Sequence, residues 1–314
     1  MAIMIVFRHS IGLGVYSLHG TLYWIEKSLS EVTDLIVPIF FMISGYLFYQ
    51  NFDYGKLKSK WIGRFKSVVI PYLIWNIVGF VFIYSIFSIP FVSAHSSSKI
   101  PSYTSLSFIA DVWYNNMYNG PTWFLKNLIY YIYIIPFLYP IFKNKSGYIL
   151  LIVCMLSGNI LVQYAGIYMF GAYMGIHCRD LIQKRYSELL HCLSALYLLS
   201  TIIGGLFCQI PFDYLLVLRL TQAICILIIA DCFAIESEPK WWMTISFFIY
   251  FTHDIILEPI EKIFFIALGD TTAGAIIDLI FAPLLTLLSV ILIAKIFRLN
   301  KPLWNILTGN RGAA

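Results

Sequence analysis

The sequence predicts an all-α fold, a polytopic transmembrane helix bundle of about ten helices. Three observations predict it. Mean hydropathy is +0.81, and 60% of the 314 residues are hydrophobic. Only 12% are charged, where soluble domains carry about 25%. The chain is also rich in aromatic residues, with 22 Tyr and 25 Phe. Tyr and Trp gather where lipid meets water, so such a composition suits many helix ends.

Spans of about 20 apolar residues fall at approximately 1–19, 34–50, 67–90, 120–142, 147–163, 165–182, 189–209, 213–234, 241–267 and 274–297. The first is apolar around His9 and lacks the basic opening of a cleavable signal peptide. The second carries Pro38 near its start and the pair Ser44 and Gly45 in its middle. Small residues let a second helix approach closely, and the expected partner is the first helix. The third holds Pro71, Trp75 and Asn76, and the fourth opens with "GPTWFLKNL", which contains Trp123 and Lys126. Only "QYAG" separates the fifth from the sixth. The ninth contains His253, Asp254 and Glu258 within "FTHDIILEP".

Charge supports this threading. The stretch 51–66 holds Lys56, Lys58, Lys60, Arg64 and Lys66 against Asp53, which marks it as cytoplasmic. Alternation then places Lys143, Lys145, Arg179, Lys184, Arg185, Lys295, Arg298, Lys301 and Arg311 inside, with Lys27, Lys99 and Arg219 opposite. Both termini are expected in the cytoplasm, with the chain multi-pass in the plasma membrane. The net charge of +5 serves topology, and no nucleic-acid motif accompanies it. The six cysteines form no C-x-x-C pair and read as small buried hydrophobes. Residues 1–314 are expected to form a single membrane domain, with 91–119 as an outer loop or lid.

Ionisable groups at membrane depth cost roughly 2.5 kcal/mol or more each, so they are functional candidates. His9 reads either as a general base or nucleophile, or as hydrogen-bonding glue between helices. His253 reads as a relay beside Asp254, or as an interfacial helix end. Lys126 reads as snorkelling outward, or as facing a cavity and holding an anion. His177 lies at an inner helix end, and His19, His95 and His191 lie near loops. No phosphate-binding glycine loop, zinc-binding H-E-x-x-H or G-x-S-x-G elbow is present. Any catalysis therefore belongs within the bundle.

The ordered blocks "IMIVFRHS", "VPIFFMISGYLF", "RFKSVVIPYLIW", "GPTWFLKNLIYY", "YMFGAYMGI" and "ISFFIYFTHDIIL" together resemble the membrane-bound acyltransferase-3 family. The resemblance covers nearly the whole chain and implies ten core helices. It implies transfer of an acyl group, usually acetyl, from cytoplasmic acyl-CoA to a hydroxyl or amine of an envelope sugar, polymer or small acceptor. His9 matches the family's first-helix His. The Arg expected eleven positions before it, with ten residues between, would precede Met1, so the resemblance implies either a start upstream or a truncated first helix. "WFLKNL" lacks the carboxylate that some branches carry there.

The mechanism expected from the resemblance makes His9 the general base, or the transient acyl carrier. Arg64 and Lys66 are candidates for binding the anionic CoA. Ser44, Trp123, Lys126 and His253 are candidates to line the substrate cavity. Acyl-CoA is the donor, no metal is expected, and the partners are the acceptor and the bilayer. A transporter moving a glycan, lipid-linked precursor or amino acid without chemistry is the alternative.

Overall fold

The computed structural model describes residues 2–12, 21–90, 105–178, 186–207, 212–230, 232 and 241–310. His19, His95, Lys99, Arg179, Lys184, Arg185, Cys208 and Arg311 lie outside them. Among the described residues the regular elements are all helical. Among the described residues, five helical stretches are long and apolar enough to cross a membrane: Tyr23–Tyr49, Tyr54–Ile86, Gly120–Phe142, Glu188–Phe207 and Thr272–Phe297. Shorter apolar helices, Lys145–Met155 and Val217–Ala230, accompany them.

In chain order the first helices are α1 (Ala2–Gly12), α2 (Thr21–Thr33), α3 (Ile36–Tyr49), α4 (Leu57–Arg64) and α5 (Ile70–Phe87). There follow α6 (Ser105–Ile109), α7 (Trp123–Ile134), α8 (Tyr139–Phe142), α9 (Tyr148–Met155), α10 (Ile160–His177) and α11 (Glu188–Phe207). The last are α12 (Phe212–Ala230), α13 (Trp241–Thr244), α14 (Ser246–Leu268), α15 (Thr272–Phe297) and α16 (Lys301–Thr308). The break expected at "QYAG" falls earlier, at 156–159. Asn159 decides it, because its side chain accepts from the Leu161 and Val162 amides and caps α10. Lys27 sits in α2 and donates to the Leu206 carbonyl at 2.6 Å, so the segment read as a loop there is helical.

The chain divides into two compact units. One comprises Met1, Leu18–Ile62 and Tyr130–Glu238. Its centre is the α3–α10 pair. A side chain at Gly45 would collide with the Tyr168 carbonyl, and one at Gly171 with the Met42 carbonyl. A Cβ at Gly175 would stand 2.7 Å from the Tyr46 carbonyl. The G-x-x-x-G spacing of Gly171 and Gly175 thus brings backbone to backbone. The helix that Gly45 admits is α10, where the sequence had suggested the first helix. Pro38 lies in the first turn of α3, where a missing amide costs least. It therefore sits where the helix opens after the Asp34–Leu35 turn.

The same unit buries an ion pair. Arg219 on α12 reaches Glu31 on α2 at 2.7 Å, and donates to the Glu31 carbonyl and to Gln222 at 3.1 Å. Gln222 donates in turn to Thr201 on α11 at 2.9 Å. Arg219 had been counted among the outer loop charges, and it is 3% exposed. The described cysteines are free thiols, and none is fully buried, which corrects the expectation for them.

The second unit comprises Ala2–Ser17, Gly63–Ile129 and Pro239–Ala314. α14 and α15 pack together, and α1 packs against both. α5 is preceded by a π-helical turn, Phe65–Val69. Pro71 lacks the amide that would bond Ser67, and the wider turn accommodates that loss. The Ser67 backbone is closely covered by Gly309, whose φ of +62° ends α16. Trp75 on α5 fixes the same helix by donating to the Leu307 carbonyl at 3.0 Å.

Candidate functional site

The site grows from α14. Its sequence, "SFFIYFTHDIILEPIEKIFFIAL", is long enough to span a bilayer and carries Asp254, Glu258, Glu261 and Lys262. His253 is fully buried. Its Nδ1 lies 3.0 Å from the Ile249 carbonyl, one turn earlier. A carbonyl only accepts, so the ring hydrogen is assigned to Nδ1 and Nε2 keeps its lone pair. That Nε2 is buried with no hydrogen-bond partner among the described residues.

α1 supplies the second imidazole. His9 Nδ1 stands 3.5 Å from Asp254 Oδ1. The His9 and His253 rings meet edge to face, with centroids 5.0 Å apart. With Nδ1 turned to the carboxylate, the Nε2 of His9 is also left as an acceptor. A carboxylate in this place is able to orient the imidazole. The donor atoms of His9, His253 and Asp254 all lie within 4.8 Å of one another. A tetrahedral ion with bonds near ~2.1 Å needs its ligands about 3.4 Å apart, so these groups would have to close in to hold one.

A buried polar turn walls the site. Gly120 passes Asp254, and a Cβ there would stand 3.8 Å from Oδ2. Two bonds tie this turn to α14: Asn119 donates to the Phe251 carbonyl at 3.2 Å, and the Tyr250 hydroxyl donates to the Pro121 carbonyl. Thr122 donates to Asn76 on α5 at 3.0 Å, and Asn116 donates to Thr122 at 2.8 Å. Each such bond contributes about 1 kcal/mol net, and breaking one leaves a buried group unsatisfied.

Further along, Glu261 and Asp278 are buried on α14 and α15, at 1% and 3% exposure. Both Glu261 oxygens and Asp278 Oδ1 lack hydrogen-bond partners among the described residues. The charges whose fields reach Glu261 are Asp278, Asp254 and Glu258, all acidic. Lys262 is the nearby cation, and it pairs with Glu258 at the exposed face.

Of the residues singled out from sequence, His9 and His253 come together. Trp123 begins α7 and is half-buried. Lys126 donates to the Tyr114 carbonyl at 2.6 Å, with its ammonium 4.9 Å from that ring. Arg64 ends α4 half-buried, and Lys66 is exposed in the π turn. Ser44 is half-buried on α3, in the first unit. Sequence reasoning missed Asn119, Glu261 and Asp278. The spacing of Asp254, Glu258 and Glu261 at i, i+4 and i+7 was the available signal for one acidic helix stripe.

Apolar helices around a fully buried imidazole, a second imidazole and a carboxylate define a helical membrane protein with polar groups gathered at one place. The model of the acyltransferase-3 family, described as an acyltransferase domain, matches residues 1–297. The chain belongs to that family and is a membrane acyltransferase. No curated protein and no solved structure matches it.

Proposed function

We propose that this protein moves an acyl group, acetyl first among candidates, from cytoplasmic acyl-CoA to a hydroxyl or amine of a cell-envelope acceptor. The observation that carries the reading is the His9–Asp254 contact at 3.5 Å, set beside the buried His253. Asp254 holds the His9 Nδ1 hydrogen and leaves Nε2 to take the acceptor's proton as it attacks the thioester carbonyl. The same imidazolium then protonates the departing CoA thiolate. The buried His253 is proposed to line the cavity beside His9. Arg64 and Lys66 are proposed to hold CoA phosphates. Trp123 and Lys126 are proposed to line the path. The chemistry calls on no resident metal. The setting is the plasma membrane, with both termini in the cytoplasm.

The test uses membrane vesicles carrying equal amounts of wild type or His9→Ala, with labelled acetyl-CoA and extracted envelope material. Label should enter an envelope fraction with wild type and be lost with the variant. Equal label from both proteins would make His9 structural and favour movement without chemistry.

A further inference from the structure

His253 is held as metal-bound imidazoles are held. Such a ring gives its other hydrogen to a backbone carbonyl or a carboxylate, which fixes its tautomer and direction. His253 Nδ1 lies 3.0 Å from the Ile249 carbonyl, and its Nε2 is buried with no partner among the described residues. His9 Nδ1 and Asp254 Oδ1 stand 3.5 Å apart. A catalytic hydrogen bond of this length tightens when substrate arrives. As it stands, the length is close to the ~3.4 Å edge between two ligands of one tetrahedral ion. The donor atoms of all three residues lie within 4.8 Å of one another, so the longest gap has to close by about 1.4 Å. His9 can supply that movement. It comes from a separate helix and its side chain is 31% exposed, and turning a side-chain bond by about 30° carries a ring nitrogen roughly that far. The same exposure, with Asp254 at 20%, gives an ion its way in.

We propose that His9, Asp254 and His253 form a binding site for a divalent ion of the zinc class, and that the ion shuts the centre down. Two nitrogens and one oxygen suit zinc, where magnesium and calcium take oxygen ligands. Three protein ligands leave the fourth position to a water. The ion takes the His9 Nδ1 lone pair, so the ring hydrogen moves to Nε2. It takes the His253 Nε2 lone pair and the Asp254 charge as well. His9 then presents an N–H where acyl transfer needs a base. Metal binding and acyl transfer therefore exclude each other. The binding does not depend on the acyl-transfer reading; the shutdown rests on it.

The test uses the full chain in detergent, freed of metal with a chelator, and Co2+ as the coloured stand-in for Zn2+. One equivalent of Co2+ should give the strong visible bands of a four-coordinate ion, and Zn2+ should bleach them. His9→Ala and Asp254→Asn should each weaken Co2+ binding at least about tenfold, with the unfolding midpoint showing that both variants are folded. No strong band, unchanged affinity in both variants, or the near-ultraviolet band of a thiolate ligand, which would assign the ion to a cysteine, overturns the site. In vesicles, label transfer should fall at the Zn2+ concentration that bleaches Co2+ and return with chelator. Transfer untouched or raised by bound Zn2+ overturns the shutdown. Equal label from wild type and His9→Ala in metal-free buffer removes the acyl-transfer reading and the shutdown with it, while the Co2+ bands still decide the site.

Discussion

Replacing Asp254 with Asn isolates what the carboxylate does for His9. At 3.5 Å and an effective dielectric near ~20, an imidazolium and a carboxylate attract by about 5 kcal/mol. His9 and Asp254 side chains are 31% and 20% exposed, so water screens part of that. Roughly half remains as the stabilisation that appears only when His9 takes a proton. That corresponds to a fall of about a hundredfold in turnover. Asn also offers an N–H where the carboxylate accepted, which favours the wrong imidazole tautomer. The assay is the initial rate of label transfer at saturating acyl-CoA, with protein levels matched. The double variant with His9→Ala should lose no more than His9→Ala alone, because groups that act as a unit are not additive. A rate for Asp254→Asn within about threefold of wild type, with the protein intact, would refute the orienting role.

Other outcomes follow from packing. Gly171→Val forces a side chain into the Met42 carbonyl and should cost about 1–3 kcal/mol, read as a lower unfolding midpoint in detergent. An unchanged midpoint would mean that α3 and α10 do not meet as described. Arg219→Met strands the Glu31 charge and should destabilise by about 3–5 kcal/mol, while adding Glu31→Gln should restore much of the loss. Additive losses in the double variant would count against a buried pair. Asn119→Ala releases the bonds to α5 and α14. It should lower stability by about 1–2 kcal/mol and speed proteolysis within 115–122; equal cleavage would show the turn is held by other contacts.

Much of the architecture was legible because membrane spans depend on length and apolarity, which a single sequence displays. Third-dimensional partners were not. Gly45 advertised a close helix contact, but nothing local told α1 from α10 as its occupant. Arg219 looked like a loop charge because its neutralising partner, Glu31, lies far away in the chain. The 21–33 segment carries enough polar residues, Glu26, Lys27 and Glu31 among them, to depress its hydropathy, and it forms a helix all the same. α14 shows the same effect most strongly. Its acids keep it out of the strictly apolar set, and those acids mark it as the helix of the site. His9 and His253 were visible as costly residues, but their meeting edge to face required the fold.

The second unit is assembled from three separated pieces of chain, and this shapes the protein's biogenesis. His9 is made well before its companions on α14, more than two hundred residues away in the chain. α16, which is anchored to Trp75 and covers Ser67, comes later still. Such long-range closure is slow, so the early helix must wait in the bilayer until α14 and α15 have been made. A product that stops before α14 would retain α1–α13 in sequence but hold no assembled centre. Such a fragment would expose a lone His9 to the insertion and quality-control machinery of the membrane.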